Sequence, residues 1–425
     1  MKYYLGIDTG TTSISIAALD ESRTLLTSRT LNHESFIHSD NPADRIQNPE
    51  RIKSLVLEIV NSITSEFGRP SAIGFTGQMH GILYVNAKGE AVSPLWTWQD
   101  SSGDDMLPVL REQGLRVSSG YGLATHLHLQ KAGKIPSDAV RLSTISDYIA
   151  MTLCGKNQPI LSSDMAAGWG CFDLQRREFF TEKLAAAGVD TSFLPEVVKG
   201  YAVIGETGEG VPVVCSMGDN QASIKGSVKA GKDEKNSLLV NVGTGSQVSF
   251  VTGDYVNVSG DVELRPYGEE YVLAGAALCG GRAYAMLEKF YREIAGRECY
   301  GVMSEHAEEF LKSGRSAWEV ETTFMGTRAD PAKRGSIHGI SENNFTPGAL
   351  TVGVIRGILG ELHGMYDEMT RLTGRKAGVL VGSGNGMRKN PLMQRLAGEM
   401  FGMRVEIPDL TEEAACGCAL CAMSA

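Results

Sequence analysis

The chain has 425 residues, of which 42% are hydrophobic and 21% charged, and its formal net charge is −10 at pH 7. This composition is typical of a globular protein with room for two or three domains, each with its own core. The negative charge argues against nucleic acid or an anionic membrane surface as a partner. No apolar run reaches the roughly 18–20 residues that a membrane-spanning helix requires, and eight cysteines without a disulfide spacing indicate a reducing, cytoplasmic location.

The first predicted feature is a strand, a tight turn and a second strand. The apolar run Tyr3–Ile7 leads to Asp8 and then to Gly10, Thr11 and Thr12, after which apolar residues alternate again. Glycine lacks the Cβ that would keep a phosphate group away from backbone N–H groups. The segment therefore predicts a phosphate-binding turn with a carboxylate at its start.

A near copy of this pattern recurs in the middle of the chain. The apolar run Leu238–Val242 contains Asn241 where the first copy has an aspartate, and it leads to Gly243, Thr244 and Gly245. Two related turns, one acidic and one neutral, predict a clamp for a polyphosphate and its magnesium between two halves of the protein.

Candidate sugar-binding segments lie between the two turns. The helix Pro49–Phe67 is predicted from apolar residues on one face, and a strand over Ala72–Phe75 follows it. That strand leads to Gln78, Met79 and His80, which glycines flank, so that Gln78 and His80 could face a pocket as partners for hydroxyl groups. A lone histidine is more often structural, and this alternative stays open.

An aromatic segment begins the less regular stretch that runs to about Tyr201. Trp98 stands beside Gln99 and Asp100. Sugars pack their C–H faces on aromatic rings while adjacent hydroxyls donate to acceptors, so this combination favours sugar binding. Buried tryptophans without a ligand are equally common.

A carboxylate closes the next apolar run. Val213–Cys215 leads to Gly218, Asp219 and Asn220. A carboxylate at the end of a strand could accept the proton of a hydroxyl group that attacks a phosphate. The alternative is an Asx turn or a helix cap, since aspartate and asparagine form both.

The second half begins after a polar stretch and contains three predicted helices. The stretch Val228–Asn236 is the predicted hinge, which divides an N-terminal domain, 1–228, from a C-terminal domain, 229–425. The helices are Gly281–Ala295, Pro347–Leu372 and Pro391–Phe401.

A glycine-rich loop follows the predicted strand Val379–Val381. Its residues Gly384, Asn385 and Gly386, with Asn390 before the last of the three helices, fit the close approach of an adenosine to backbone and to a helix N-terminus. Neither a Walker P-loop nor a Rossmann glycine fingerprint occurs in the sequence.

Three cysteines form the one cluster of this residue type. Cys416, Cys418 and Cys421 lie in a predicted helix, Glu412–Ala422, with Thr411 as its cap. Their spacing distributes the thiols around the helix, so packing of small residues is favoured over zinc binding.

Taken together, these segments resemble the FGGY family of carbohydrate kinases, within the actin-like, hexokinase-like (ribonuclease H-like) ATPase superfold. The resemblance covers nearly the whole chain and rests on Asp8-x-Gly-Thr-Thr-Ser, Gly77-Gln-Met-His-Gly, Trp98-Gln-Asp, Gly218-Asp-Asn, Gly243-Thr-Gly-Ser and Gly382-Ser-Gly-x-Gly. Within the family the sequence looks most like the sedoheptulokinases, through Thr97-Trp-Gln-Asp100, Gly120–Thr125, Ile145-Ser-Asp-Tyr148 with Leu153–Gly155, and Ser163–Gly170.

The resemblance implies an α/β fold of two lobes with a cleft between them, and ATP- and Mg²⁺-dependent phosphorylation of a ketose at its terminal hydroxyl. It assigns the general base to Asp219 and the magnesium to Asp8 and Asp219. By the same resemblance the phosphates and adenosine fall to Gly10, Thr11, Thr12, Gly243, Thr244, Gly245, Gly384, Asn385, Gly386 and Asn390, and the sugar to Gln78, Met79, His80, Trp98, Asp100 and Asn220. Glycerol kinases carry an Arg-Glu pair in place of Met79-His80, so glycerol is not expected as a substrate.

Three alternatives remain open at the level of sequence. A xylulose kinase shares the Gln78–Gly81 and Gly218–Asn220 segments. A sugar sensor without catalysis is disfavoured because Asp8 and Asp219 are present, and a chaperone-like ATPase leaves the sugar-like segments without a purpose. The expected partner is a small sugar, with neither nucleic acid nor a membrane, and the helices of the second half could form a homodimer face.

Overall fold

The computed structural model describes residues 1–228, 233–258, 260–327, 330, 332–408 and 412–425. The chain divides into two compact units. The first comprises Met1–Ala230, Arg265–Glu270 and Leu410–Ala425, and the second comprises Gly231–Leu264 and Tyr271–Asp409. Across the described ranges, none of the helices has the length and apolar character needed to cross a membrane.

Strands and helices alternate along both halves, as predicted for an α/β protein. The strands are β1 (Tyr3–Thr9), β2 (Ser13–Asp20), β3 (Leu25–Asn32), β4 (Ile46–Gln47), β5 (Ala72–Gly77), β6 (Leu83–Asn86), β7 (Leu95–Trp96), β8 (Ala139–Ser143), β9 (Ile160–Ser162), β10 (Phe172–Asp173), β11 (Glu178–Phe179), β12 (Glu196–Val198), β13 (Val203–Glu206), β14 (Pro212–Val214), β15 (Met217–Gly218), β16 (Ser237–Val242), β17 (Ser246–Val251), β18 (Val262–Tyr267), β19 (Glu270–Ala277), β20 (Glu319–Glu321), β21 (Ser336–His338), β22 (Val379–Ser383) and β23 (Arg404–Glu406). The α-helices are α1 (Pro49–Phe67), α2 (Leu107–Glu112), α3 (Gly122–Lys131), α4 (Ile145–Leu153), α5 (Ser163–Ala167), α6 (Thr181–Ala186), α7 (Asp219–Ser227), α8 (Gly281–Ala295), α9 (Tyr300–Lys312), α10 (Pro347–Thr373), α11 (Gly384–Arg388), α12 (Pro391–Phe401) and α13 (Glu413–Ser424).

The main sheets of the two units share a central arrangement of five strands, β3-β2-β1-β5-β14 in the first and β19-β17-β16-β22-β23 in the second, and differ at their edges. In the first, with strand order β13-β14-β5-β1-β2-β3, β1 and β2 form an antiparallel hairpin and β5 runs parallel to β1. In the second, with order β18-β19-β17-β16-β22-β23, β16 and β17 form the hairpin and β22 runs parallel to β16. Both predicted strand–turn–strand elements are therefore confirmed, and each opens a sheet of the same design.

The first sheet packs against α13 with unusually close backbone contact. A Cβ added to Gly6 of β1 would stand 1.8 Å from the Ala415 carbonyl oxygen, and one added to Gly74 of β5 would stand 2.2 Å from that of Cys418. Larger residues would hold the helix away from the sheet. Helix α1 belongs to the same core, and its fully buried Ile52, Val56 and Ile63 each contribute about 1.5–3 kcal/mol of burial.

Residues from about 79 to 194 form a second core within the first unit. Trp169 is fully buried there and stacks on Phe179 with ring centroids 6.1 Å apart. The surrounding strands pair only two by two, as β4 with β7, β6 with β8, β9 with β12 and β10 with β11. The prediction of a less regular aromatic region is confirmed.

The helices predicted with bounds agree closely with the structure, and eight further helices of the described residues were not predicted. Helices α1, α8 and α12 have the predicted bounds, and α10 extends one residue further, to Thr373. The unpredicted helices are α2, α3, α4, α5, α6, α7, α9 and α11. Helix α7 has Ile224 as its one strongly apolar side chain and contains Gly226, which disfavours a helix, so its sequence lacks a helical apolar stripe.

The predicted division of the chain remains a prediction. Residues 229–232 of the hinge segment lie outside the described residues. The compact units depart from a single cut, because Arg265–Glu270 and the segment that carries α13 belong to the first unit.

The three clustered cysteines are buried free thiols of α13. Cys418 Sγ donates to the Ala414 carbonyl oxygen at 3.0 Å, and burial raises the pKa of the Cys416 thiol to about 12. Packing of small residues is thus what the structure has at these positions. The predicted cap, Thr411, lies outside the described residues, and α13 begins one residue later than predicted and ends two later.

Candidate active site

The turn between β1 and β2 is fixed by side chains that hold its carbonyl groups. His33 Nε2 donates to the Gly10 oxygen at 3.2 Å, and the His33 N–H donates to the Thr12 oxygen at 3.2 Å. Gln47 Nε2 donates to the Thr11 oxygen at 2.7 Å. With its carbonyl groups committed to these donors, the turn keeps one backbone conformation, as a preorganised phosphate site requires. Neither His33 nor Gln47 was predicted from the sequence.

Gln78 is joined to this turn through Gln47. Gln78 Nε2 donates to Gln47 Oε1 at 2.9 Å, and the Gln78 N–H donates to the Thr9 carbonyl oxygen at 3.2 Å. The side chain is only 4% exposed, and no group of the described residues bonds to its Oε1. A buried acceptor left without a donor costs about 1–3 kcal/mol, so Oε1 is a ready acceptor for a ligand hydroxyl.

Met79 and His80 have different environments. Met79 is buried within the core of residues 79–194, whereas His80 is half-buried and stacks on Tyr121 with ring centroids 4.7 Å apart and planes within 7°. His80 Nδ1 also bonds to the Gly168 carbonyl oxygen. The imidazole is thus held in one orientation, and its predicted contact with a sugar remains a prediction.

The aromatic segment places one exposed ring and one buried carboxylate side by side in sequence. Trp98 is 47% exposed, and its Nε1 donates to Thr11 Oγ1 at 2.8 Å, which places the indole beside the first turn. Asp100 is fully buried, with Oδ2 accepting from the Arg45 N–H at 2.8 Å and Oδ1 from the Ser102 N–H at 3.0 Å and hydroxyl. Burial raises the pKa of Asp100, and these bonds lower it in part. Asp100 therefore organises its loop, and its predicted contact with sugar is untested.

Asp219 lies at a junction where a strand ends and a helix begins. Met217 and Gly218 of β15 pair with Thr76 and Gly77 of β5, and Asp219 is the first residue of α7. Its side chain is exposed although the strand before it is buried, and Asp219 Oδ1 accepts the Asn220 N–H at 2.6 Å. Asp219 thus follows the strand and opens α7 without capping it, because the N-cap is Gly218 and none of the described side chains caps the helix. Its predicted role as a base remains a prediction.

The surroundings of Asp8 disfavour the charged form of its side chain. Its side chain is partly exposed, and burial, followed by the negative charges of Asp219 and Glu412, raises its pKa to about 7. A divalent cation would relieve this repulsion, so the carboxylates present fit a magnesium ion. Among the described residues no group of three or more His, Cys, Asp and Glu side chains could hold a metal ion. Mg²⁺ needs fewer protein ligands than that, because it commonly binds one or two carboxylates and completes its shell with phosphates and water. Glu412 was not predicted from the sequence.

In the second unit, the turn Gly243–Gly245 lies against the start of α8. The Gly281 N–H donates to the Gly243 oxygen at 2.8 Å, and the Arg282 N–H donates to the Thr244 oxygen at 3.0 Å. Asn241 Nδ2 donates to Ser383 Oγ at 2.9 Å, where the equivalent position of the first turn has Asp8. The neutral turn is thus fixed through its carbonyl groups, like the acidic one.

The residues predicted as a glycine-rich loop after β22 form instead the short helix α11, which packs on the end of β16. Gly384 has a φ of 76°, and a Cβ there would stand 2.6 Å from the Val242 carbonyl oxygen. A Cβ on Gly386 would stand 2.6 Å from Val242 Cγ1. Asn385 is exposed in α11, and Asn390 Oδ1 caps α12 by accepting the Met393 N–H at 3.0 Å. The two predicted phosphate turns lie in different units, and the clamp between them remains a prediction.

Comparison with known proteins assigns the family. Residues 3–226 match the N-terminal domain of the FGGY family of carbohydrate kinases, and residues 238–425 match its C-terminal domain. The chain belongs to the FGGY family of carbohydrate kinases. It is therefore a phosphotransferase that acts on a small sugar or a related carbohydrate.

Similar proteins include kinases for different carbohydrates. Sedoheptulokinase from Mus musculus is 27% identical over 439 residues, which cover 92% of this chain and 91% of the relative. Xylulose kinase from Lactococcus lactis is 25% identical over 462 residues, which cover 100% of this chain and 88% of the relative. The crystal structure of xylulose kinase from Rhodospirillum rubrum matches with a TM-score of 0.87 at 18% identity, covering 99% of this chain and 89% of that one. The predicted actin-like ATPase fold is confirmed.

Proposed function

We propose that this kinase transfers the γ-phosphoryl group of ATP to the terminal primary hydroxyl of sedoheptulose and forms sedoheptulose 7-phosphate. The observation that carries the choice of sugar is the similarity to sedoheptulokinase along almost the whole chain. Met79 and His80, which stand where glycerol kinases carry Arg and Glu, support a ketose over glycerol. The buried, unpartnered Gln78 Oε1 supports a ligand that donates from a hydroxyl group.

In this proposal Asp219 is the general base. The sugar hydroxyl oxygen attacks the γ-phosphorus in line, the bond from that phosphorus to the bridging oxygen of ADP breaks, and the hydroxyl proton passes to the Asp219 carboxylate. Because the transition state is loose, positioning and neutralisation of charge supply most of the acceleration. The exposed carboxylate at the end of a buried strand suits this role, since the strand limits its movement.

The nucleotide and the magnesium would be held by both predicted turns. Gly10, Thr11 and Thr12, with Gly243–Gly245, would bind the phosphates, and Gly384–Gly386 with Asn390 would line the adenosine. Asp8 and Asp219 would hold Mg²⁺, which when bound neutralises charge on the phosphates. Burial and, after it, the negative charges of Asp219 and Glu412 raise the pKa of Asp8, and a bound cation would offset both, which supports this assignment.

The test is ADP formation by the purified protein with Mg·ATP and sedoheptulose, xylulose, ribulose, fructose, glycerol or no sugar. We expect sedoheptulose to give the highest kcat/KM and the reaction without sugar to be near background. A higher kcat/KM with xylulose would retain the mechanism and replace the sugar. ATP hydrolysis that is independent of sugar, or absent activity with every sugar, would contradict the proposal.

Removing the carboxylate of Asp8 tests the proposed metal site. We expect Asp8→Asn to shift the Mg²⁺ concentration for half-maximal rate upward and to lower kcat by about 10–100-fold, because one charge that holds the cation is lost. The measurement is a magnesium titration at saturating ATP and sugar. Asp20→Asn, at the far end of the same β1–β2 hairpin, is the matched control. A magnesium titration of Asp8→Asn that matches the unsubstituted protein would exclude this role.

A further inference from the structure

The strand that leads to Asp219 has a strand neighbour on one edge. Among the described strands only β5 pairs with β15, through Met217 with Thr76 and Gly218 with Gly77. Thr76 Oγ1 also donates to the Met217 carbonyl oxygen at 2.8 Å. Successive residues of a strand direct their N–H and C=O groups to opposite edges, so Ser216 and Gly218 present theirs to the other edge.

Side chains occupy that other edge. Asp147 Oδ1 accepts the Ser216 N–H at 3.3 Å, and Ser162 Oγ donates to the Ser216 carbonyl oxygen at 2.6 Å. The Asp164 carboxylate also interacts with the Gly218 N–H, and this interaction lowers its pKa. Two carboxylates and one hydroxyl thus take the place of a neighbouring strand immediately before Asp219.

The two carboxylates are themselves held firmly. Both are fully buried. Asp147 lies in the first turn of α4 and also accepts from the Thr144 hydroxyl at 2.6 Å, and Asp164 lies in the first turn of α5 and accepts from the Tyr201 hydroxyl. Their positions are therefore set by two helices rather than by flexible loops.

Asp164 also joins Gly218 to residues 265–270 of the same unit. It accepts the Gly268 N–H at 3.3 Å, and Arg177 donates to the carbonyl oxygens of Gly268, Glu269 and Glu270. Gln221 of α7 donates through Nε2 to the Pro266 carbonyl oxygen at 2.8 Å. The segment 265–270 is thus fastened to both sides of Asp219, through Gly218 before it and Gln221 after it.

Burying the two aspartates costs folding free energy. Burial raises the pKa of Asp147 to about 6 and that of Asp164 to about 7, against the ordinary value of 3.8, although their hydrogen bonds lower it in part. Apolar residues would avoid this cost, so some other requirement accounts for the carboxylates. The two aspartates lie in the segments Ile145–Tyr148 and Ser163–Gly170. No residue of these segments takes part in the proposed phosphoryl transfer.

We propose that Asp147 and Asp164 are positioning residues for Asp219, which together with Ser162 replace a missing strand and fix the backbone from Ser216 to Gly218. The inference rests on the proposed role of Asp219 as general base. A carboxylate that must meet a hydroxyl proton within hydrogen-bond distance tolerates little displacement, and a misplacement of about 1 Å can cost on the order of 100-fold in rate. Neither aspartate contacts the reacting atoms in this scheme.

The test compares Asp147→Asn and Asp164→Asn with Asp190→Asn. Each substitution keeps the size of the side chain and replaces one acceptor oxygen with an NH₂ group. Asp190 is the matched control, because its carboxylate also accepts a backbone N–H, that of Ser192 at 3.0 Å. We expect kcat to fall by about 10–100-fold in the first two variants, with the KM values for ATP and sugar within about threefold, and to stay within about twofold in the control.

A second measurement separates positioning from loss of fold. Rates are taken well below the thermal midpoint of each variant, and Asp164→Asn is also combined with Asp219→Ala. Because both changes would remove the same function of Asp219, we expect Asp164→Asn to cause no further loss in the residual rate of Asp219→Ala. If Asp164→Asn does not fold, Asp147→Asn and Ser162→Ala decide the question by the same kinetic pattern.

The outcomes distinguish this inference from the proposed function. A loss of activity in Asp219→Ala combined with normal kcat in both aspartate variants would overturn the positioning role alone. Full activity in Asp219→Ala would overturn the proposed base and with it the positioning role. Raised KM values with unchanged kcat, or a multiplicative loss in the double variant, would also overturn the inference.

Discussion

Asp219→Ala is expected to lower kcat by about 10²–10⁴-fold, equivalent to roughly 3–5 kcal/mol of transition-state stabilisation, with little change in ATP affinity. The sugar hydroxyl must lose its proton as the new P–O bond forms, and the variant has no carboxylate at this position to accept it. The side chain is exposed at the first position of α7, so the fold should lose only the interaction of one charge with the helix dipole, about 0.3–1 kcal/mol.

The measurement is steady-state kinetics with the preferred sugar, together with ATP binding followed by calorimetry. Asp138→Ala, an exposed aspartate of the same unit, serves as the control and should retain full kcat. Asp219→Asn adds a second comparison, because it keeps the shape and removes the basicity. Near-normal turnover in the alanine variant would remove Asp219 from the mechanism.

Local signals in the sequence predicted much of the fold. Helix α1 begins at an Asn48 cap with proline at its first position and ends at Gly68, whose φ is 81°, so both of its ends are specified by neighbouring residues. The same holds for α10, which Thr346 caps and Gly374 ends. The two strand–turn–strand elements were predictable because glycine and threonine interrupt an otherwise alternating apolar pattern.

Residues that act through distant partners left no such signal. Asp147 and Asp164 stand in segments that only resemblance singled out, and nothing near them in sequence predicts that they hold Ser216 and Gly218. Gln47 joins Gln78 to the first turn across long stretches of chain. These contacts depend on tertiary packing, so a pattern within one segment does not contain them.

Helix α7 illustrates the same limit in the fold. Most of its nine residues, Asp219–Ser227, have a weaker helix propensity than alanine or lysine, and one of them is a glycine. Helix propensity alone therefore does not predict it. Its stability comes instead from α13, since a Cβ on Gly226 would stand 1.8 Å from the Glu413 carbonyl oxygen. A Cβ on Gly417 would likewise stand 1.9 Å from the Ala222 carbonyl oxygen. The helix that begins with Asp219 is therefore positioned by direct contact of two backbones.

Gly417→Ala should consequently destabilise the protein, although alanine normally favours a helix by about 1 kcal/mol over glycine. The added methyl group would force α7 and α13 apart by more than 1 Å, and we expect the free energy of unfolding to fall by about 3 kcal/mol. Urea unfolding followed by circular dichroism measures the change. Gly360→Ala in α10 is the matched control, because no other atom of the described residues lies within 4 Å of its added Cβ, and it should stabilise the protein by about 0.4–1 kcal/mol. Equal stabilisation by both substitutions would show that the two backbones tolerate separation, and α7 would then not depend on this contact.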